Sequence, residues 1–470
     1  MNNNERSVNI RKERKQLGKA LRQNVPFSNH ANWTPSNDRF DPIDLLQKQD
    51  QGRLKQLLPI KYGRMLESPL AFFRGSAVLM AADLAGTQDT GIHVSLCGDA
   101  HLANFGLFAT PERRLVFDIN DFDEVYPGPW EWDLKRLAVS AVIAGRNSGF
   151  GEIECHRLAA IVAKSYGLAM ARFAKITTMD LWYYHIKADK LRNRIKKASK
   201  QGSKSARKMV KKARTHTHEQ TLEKLTTQDG SQRRIISDPP LLVPLVDMNL
   251  KNILGETELE KISEKTIKHA WTGYLNSLPD ERRYLLKRFE IVDVAFRVGG
   301  IGSVGTRCLL VLLNGGAKDD YLILQLKEAG TSILEPYLAT HNYQSQAQRV
   351  VTGQHLMQAA SDIFLGWHRG QITGYEFYWR QLKDMKSSVN LADLNVNGLH
   401  AYLAVCAWCL ARAHARTGDE VKISGYLGRK SSFYNAIADF AITYANQVER
   451  DYNALVFAAK SGRVPVETGI

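Results

Sequence analysis

The stretch from Cys97 to Asp133 reads CGDAHLANFGLFATPERRLVFDINDFDEVYPGPWEWD, and its spacing organises the rest of the chain. Asp99 and His101 follow Gly98, Asn104 comes five residues after Asp99, and the apolar run Leu115-Val116-Phe117 leads into Asp118, Asp121 and Asp123. Two short apolar strands thus flank a polar loop. Such a β-loop-β unit can hold one carboxylate beside a hydroxyl nucleophile, while an Asn and a later Asp bind a metal on nucleoside-triphosphate oxygens. Asp, Asn and Gly are also ordinary turn residues whose side chains bond to local backbone. The joint spacing of Asp99, Asn104 and Asp121 is harder to obtain from turn chemistry. Asp118 lies on the strand one step early, and Asp123 is expected to bond neighbouring backbone only.

A second region begins at Phe289. Ile291 to Val298 alternates apolar and other residues as a half-buried strand does, and Gly299-Gly300-Ile301-Gly302-Ser303-Val304-Gly305 follows with a full G-x-G-x-x-G. In a dinucleotide-binding unit a helix would start at these glycines. Here Thr306 to Leu313 reads as another strand, closed by Asn314-Gly315-Gly316. A Gly loop between two strands can lay backbone N–H groups over a triphosphate, because no Cβ obstructs approach. A third strand, Tyr321 to Leu326, ends at Lys327, 22 residues after Gly305. Ile363 to Trp367 and Tyr375 to Leu382 complete an expected five-stranded sheet, with a hinge near Arg380 to Met385.

The run G-D-x-H-x-x-N, an apolar strand and D-F-D resembles the catalytic and metal-binding loops of the aminoglycoside and choline phosphotransferases, the small-molecule branch of the kinase-like fold. The resemblance implies Asp99 as catalytic base, Asn104 and Asp121 as metal ligands, and the W-x-W-D-L run at Asp133 as the buried brace of the loop. It likewise implies Gly300, Gly302, Ser303 and Gly305 as a phosphate-covering loop and Lys327 as the lysine on the α and β phosphates. The sequence departs from that pattern in the expected helix Asn342 to Ala359, which offers Gln344, Gln346, Gln348 and Gln354 but no Glu to position Lys327. Glu328, Glu335 or a remote acid would have to do so. Through RGSA at Arg74, CGDAHLANFG, NDFDE, WDLKRLA, GGIGSVGTR, QLKEA and QAASDIFLGW, the chain is also similar nearly end to end to a bacterial family catalogued as domain of unknown function 2252, itself placed by similarity with kinase-like folds.

Composition bounds these readings. With 470 residues and 44% apolar content, the chain can bury a large core in two or more domains. Its apolar runs are too short to cross a bilayer and its N-terminus lacks an apolar secretory core, so a cytoplasmic location is expected. Five cysteines form no even framework, and the C-x-x-C at Cys406 and Cys409 sits in an apolar helical run that favours core packing. Of the net charge of +16, Lys187 to Arg214 supplies 13 Lys or Arg against the single acid Asp189, or +12. That basic insertion reads as a solvated element, open to an acidic or nucleic-acid partner but with few aromatics to stack on bases. His216 and His218 lack further metal ligands nearby.

Taken in order, 1–60 is expected to form a wrapping arm and a helix, and 61–255 a helical large lobe with the catalytic and metal-binding loops. Residues 256–390 would form a small β-rich nucleotide lobe with the Gly loop, and 391–470 a helical appendage with a disordered tail after Ser461. Ser68-Pro69 predicts the start of one helix running to Gly86. Arg64 and Arg74 read as solvated or carboxylate-paired. The fold class is α+β, a two-lobed kinase-like fold circularly permuted, because Gly300 to Lys327 follow Asp99 where kinases place them before it. Permutation is tolerable because a site depends on spatial arrangement.

The function this implies is an ATP- and Mg²⁺-dependent phosphotransferase acting on a hydroxyl of an unknown small molecule or protein. Alternatives are AMP transfer by the same fold, or a catalytically weak nucleotide-sensing or RNA-associated protein. A dimetal phosphoesterase would use the D-x-H at Asp99, but it predicts a downstream G-N-H-[DE] that is missing.

Overall fold

The helix Glu131–Asn147 is buried on nearly every side from Glu131 to Gly145, and three long helices surround it. Glu152–Phe173 presents Cys155, Leu158, Val162, Tyr166 and Met170 at helical spacing, and Val396–Thr417 and Ser431–Lys460 close over that stripe. The computed structural model describes residues 3–470 apart from 199, 216, 231, 248–249, 256–262, 318, 342, 371–373 and 383–384. It is a mixed α+β protein with antiparallel sheets.

The C-terminal helices therefore belong to the main core and form no appendage. Cys406 and Cys409 lie inside that core, where burial pushes both thiols up. The expected N-terminal arm is a helix, Asn3–Asn24, fixed to Glu420–Leu427 by Arg14 on Asp419 (2.8 Å) and Arg22 on the Tyr426 carbonyl (2.6 Å). The tail after Ser461 is ordered too: the Glu467 amide donates to the Pro59 carbonyl, 2.9 Å, and Arg64 Nε to that of Ile470, 3.2 Å.

Four strands carry the sequence from Ile92 to Pro129. β1 (His93–Leu96) pairs with β4 (Tyr126–Pro129), while β2 (Phe105–Ala109) and β3 (Leu115–Ile119) form a hairpin extended by β5 (Ile186–Lys187). The predicted helix from Ser68 is two, Pro69–Gly75 and Ala77–Ala85, broken where Ser76 leaves helical geometry at φ −124° and ψ 35°. Ser68 caps the first by accepting from the Ala71 amide at 3.1 Å.

The basic segment forms two helices, Ala188–Ala198 and Lys200–Thr215, that pack on each other. Leu191, Ile195, Met209, Val210 and Ala213 sink into the main core, which leaves the cations outward. Gly202-Ser203 lies within the second helix. Beyond it, His218 Nε2 meets the Tyr321 carbonyl at 2.5 Å, and His216 lies outside the described residues.

A six-stranded antiparallel sheet has the order β12-β13-β11-β10-β9-β8. Its members are β8 (Leu242–Pro244), β9 (Glu290–Arg297), β10 (Cys308–Asn314), β11 (Tyr321–Glu328), β12 (Gly366–Arg369) and β13 (Glu376–Gln381). The expected five strands are present, with β8 added at the edge. β12 starts three residues late because Asp362 accepts from the Phe364 amide, 2.8 Å, and folds that segment into a turn. One sheet face packs on the helix Glu264–Ser277, where Tyr274 stacks on Trp379 at 4.5 Å. Among the described residues, no helix is long and apolar enough to cross a membrane.

Candidate functional site

The catalytic loop expected from the sequence turns at Gly98, whose φ is +79°. A Cβ there would lie 2.5 Å from the Glu124 carbonyl oxygen, so only glycine fits. Asp133, buried at the start of its helix, accepts from the Cys97 amide (2.7 Å) and the Gly98 amide (3.1 Å), and bonds His414 at 3.2 Å. His414 is in turn bonded to Tyr166, 2.9 Å. A buried carboxylate with this many partners is a rigid brace.

Asp99 leaves this loop with both oxygens oriented. Arg136 Nε donates to Oδ1 at 2.6 Å, and His101 Nε2 lies 3.5 Å from Oδ2. The Ala103 amide donates to His101 Nδ1 at 3.1 Å, which puts the proton of a neutral imidazole on Nε2, facing Asp99. Burial keeps that ring neutral, with its pKa pushed down to about 4 although Asp99 pulls the other way. Arg136 is itself anchored, by Nη2 on the Phe73 carbonyl at 2.8 Å and by its plane over the Phe73 ring.

Asn104 Nδ2 donates to the Asp99 carbonyl, 2.7 Å, and the Asn104 carbonyl accepts from the Asn120 amide, 2.8 Å. The two loops are thereby tied together just before Asp121. Asp121 Oδ1 is sealed from solvent and has no hydrogen-bond partner among the described residues, and it lies 4.0 Å from Lys327 Nζ. Burial works against the Asp121 carboxylate, but Lys327, Arg380 and Lys386 hold its pKa below the usual carboxylate value.

Lys327 arrives from β11, 204 residues along the chain from its main partner, Asp123. Its ammonium bonds Asp123 Oδ2, and the Tyr378 hydroxyl donates to Asp123 Oδ1 at 2.6 Å. Burial alone would lower the lysine pKa; Asp121 and Asp123 outweigh it and raise the value well above that of a free lysine. Asp123, expected to bond only neighbouring backbone, therefore supplies the acid that the helix Gln346–Met357 lacks. Glu328 pairs with Arg307 instead (3.1 Å), and Glu335 accepts from Gln346 (3.1 Å). In that helix Arg349 reaches the Val125 carbonyl at 2.6 Å and so grips the end of the D-F-D segment.

The Gly loop connects β9 to β10. Arg64 donates to the Gly299 carbonyl (2.6 Å), and Arg53 to those of Gly302 (3.0 Å) and Val304 (2.5 Å). With its carbonyls held from behind, the loop turns Gly299 to Ser303 toward a cleft of about 510 Å³. Gly305 lies outside that lining: at φ +88° its carbonyl accepts from Leu54, 2.8 Å, and it serves the turn. Arg64 is thus a loop anchor. Arg74 lines the cleft, and its buried Nε has no hydrogen-bond partner among the described residues.

Asp99, Asn104, Asp121, Gly300, Gly302, Ser303 and Lys327 all line this one cleft. Sequence reasoning missed Asp123, Glu124, Arg297, Gln325 and Arg380 on its walls. Alternation marks two of them, because Gln325 shares the face of Lys327 on β11 and Arg380 that of Tyr378 on β13. Burial raises the Glu124 carboxyl to about 7, and its Oε2 accepts from the Ile333 amide at 2.8 Å.

Among the described residues no three His, Cys, Asp or Glu side chains are grouped to cage a metal. Asn104 and Asp121 fit a divalent cation that takes its remaining oxygens from a ligand, since Asp121 Oδ1 is buried without a hydrogen-bond partner among the described residues and Mg²⁺ is commonly bound by one or two protein oxygens with phosphates.

The sequence pattern of the family described as "Uncharacterized protein conserved in bacteria (DUF2252)" matches residues 53–458. No curated protein and no solved structure matches the chain.

Proposed function

We propose that this chain, which belongs to the bacterial family DUF2252, is a phosphotransferase of circularly permuted kinase-like architecture that uses ATP and Mg²⁺ on a hydroxyl acceptor. The observation that carries the reading is the convergence, in one cleft, of Lys327 and the Gly299–Ser303 loop with Asp99, Asn104 and Asp121. Its cytoplasmic location is part of the same proposal.

Lys327 would bind phosphate oxygens, held in place by Asp123 and Tyr378. Asn104 and Asp121 would hold the cation, which when bound neutralises triphosphate charge. Asp99 would orient the acceptor hydroxyl and take its proton at the carboxylate, with Arg136 and His101 fixing the direction of its lone pairs. Rate would come mainly from positioning and charge neutralisation. A nucleotide-sensing role is favoured by one observation, the ion pair of Asp99 with the buried Arg136, which occupies one of its two carboxylate oxygens.

Calorimetric titration with ATP, with and without Mg²⁺, tests the proposal on wild type, Asp121→Ala and Lys327→Ala. Magnesium-dependent binding that both substitutions weaken is expected. Absence of binding by the wild type across adenine and guanine nucleotides would overturn the reading. Binding with no transfer to any hydroxyl, and no release of phosphate above the level of Asp99→Asn, would decide for sensing.

A further inference from the structure

The two basic helices and the short helix that precedes them present a surface that the cleft does not use. Thr178–Tyr183 ends on Trp182 and Tyr183, exposed by 41% and 69%, and the chain passes through β5 into Ala188–Ala198. Tyr183 and the half-buried Tyr184 line a groove of about 620 Å³ together with Lys187, Lys190, Arg194 and Lys197. Lys190, Arg194 and Lys197 stand at intervals of four and three residues, on one face of their helix, and advance about 4.5–6 Å along its axis at each step. Among the described residues no carboxylate pairs with any of these four cations; Asp189, which also lines the groove, is held by Arg192 at 3.4 Å. Groove and cleft share no lining residue among those described.

The way these helices are buried narrows the partner. A bilayer takes an amphipathic helix by its apolar face. Here Leu191, Ile195, Met209, Val210 and Ala213 face the main core, so the outward surface carries cations in place of an apolar stripe. An acidic polypeptide would satisfy the charges and leave Tyr183 without a role. A single nucleic-acid strand matches both features, since its successive phosphates suit a spaced row of cations and its bases suit an open ring. Residues 187–214 hold no aromatic side chain, and the fold supplies them from Tyr183 and Tyr184, just before that segment. Cation and ring already meet there: Lys190 Nζ lies 5.8 Å from the centre of the Tyr184 ring, and the Arg416 guanidinium covers Trp182 at 3.8 Å. Tyr183 is left as the ring open to a base. Lys204, Arg207, Lys208 and Lys211, exposed on the second helix, extend the positive field along the pair.

We propose that this groove binds single-stranded nucleic acid without sequence preference, with phosphates on Lys187, Lys190, Arg194 and Lys197 and a base stacked on Tyr183. These groups grip phosphate and ring face, which RNA and DNA strands share, so both are ligands. The inference is independent of the phosphotransferase reading of the cleft.

The test is fluorescence anisotropy on the full chain with labelled oligouridylate and oligothymidylate of about 20 nucleotides, between about 50 and 200 mM salt. Both are expected to bind, with log K falling against log salt at a slope of about −3, from ~0.7 for each of four phosphates. The triple variant Lys190→Gln/Arg194→Gln/Lys197→Gln is expected to weaken binding more than about tenfold at the lower salt and to flatten the slope to about −1. Tyr183→Ala is expected to weaken it about fivefold or more with the slope unchanged, because stacking releases no counterions. Circular dichroism and thermal unfolding check that the variants are folded; should the triple variant unfold, its three single substitutions serve the same comparison. No binding at the lower salt, affinity that the charge substitutions leave intact, or Tyr183→Ala without effect would each overturn the inference. Tighter binding to polyglutamate or to phosphatidylserine vesicles than to either oligonucleotide would overturn it as well, and would make the surface a site for acidic protein or for membrane.

Discussion

Two clusters in this chain have almost the same inventory and opposite character. In the helical body, Arg39 lies between Asp83 and Asp451 with Tyr444 beside them; in the cleft, Lys327 lies between Asp121 and Asp123 with Tyr378 beside them. Each has one cation, two carboxylates and a phenol. Arg39 satisfies its neighbours completely: Nε and Nη2 reach Asp83 at 2.7 and 2.8 Å, and Nη1 and Nη2 reach Asp451 at 2.9 and 2.8 Å. Tyr444 and Gln447 supply the remaining bonds, 2.7 Å each. The cleft cluster stays open, because a lysine ammonium is a compact charge that cannot fork across two carboxylates as a guanidinium does, and Asp121 Oδ1, 4.0 Å from that ammonium, has no hydrogen-bond partner among the described residues. A closed cluster of this kind holds helices together, whereas an open one has charge to offer a ligand.

The largest expected effect separates the two by stability. Arg39→Met leaves two buried carboxylates facing each other and should cost about 3–5 kcal/mol in urea unfolding. Lys327→Met, whose carboxylate partners are partly exposed, should cost no more than about 1 kcal/mol in the same measurement. Equal losses would show that both clusters are structural.

Binding should separate them in the reverse sense. Lys327→Met is expected to weaken Mg²⁺-ATP about a hundredfold, or roughly 2.7 kcal/mol, with Arg39→Met unchanged per folded molecule. An equal loss in both would erase the distinction.

Glu124, next to the open cluster, adds a dependence on pH. Its folded pKa of about 7 exceeds its ordinary value of 4.5, so the folded state retains a proton that the unfolded chain has released. Its contribution is fully present below the unfolded value and is lost as pH rises through about 7. The stability of Glu124→Gln relative to wild type should therefore grow between about pH 4.5 and 7, by on the order of 2 kcal/mol, in urea midpoints taken across that range. A flat difference would mean that Glu124 is ionised in the fold throughout.

The smallest effect is that of Tyr378→Phe. Loss of the hydroxyl on Asp123 should reduce Mg²⁺-ATP affinity severalfold, about 1 kcal/mol, by titration calorimetry. An effect as large as that of Lys327→Met would make Tyr378 a ligand contact in its own right.

Much of this architecture was legible in local spacing. Alternation gave the strands that carry Lys327 and the Gly loop, and the G-D-x-H-x-x-N run placed Asp99 and Asn104 on the same loop. What spacing could not supply was partnership. Asp123 finds Lys327 across 204 residues, and no local pattern encodes that. The sequence marks 391–470 as helical, but not that Val396–Thr417 and Ser431–Lys460 lie against Glu131–Asn147 and Glu152–Phe173. β8 escaped because three residues, Leu-Val-Pro, are too short to show a period. Asn3–Asn24 escaped because it is polar nearly all round and is held largely by ion pairs and carbonyl contacts to a remote helix. Gly305 met the motif yet serves a turn, since a glycine in a phosphate loop and one at positive φ look alike in sequence.

The central claim, that two distant segments form one nucleotide site, is tested most directly by hydrogen exchange on the full chain with and without Mg²⁺-ATP. Nucleotide should slow exchange jointly in the Gly299–Ser303 loop and in the segments around Asn104 and Asp121, and Lys327→Met should abolish both effects. Protection confined to one of these regions, or located elsewhere in the chain, would contradict it.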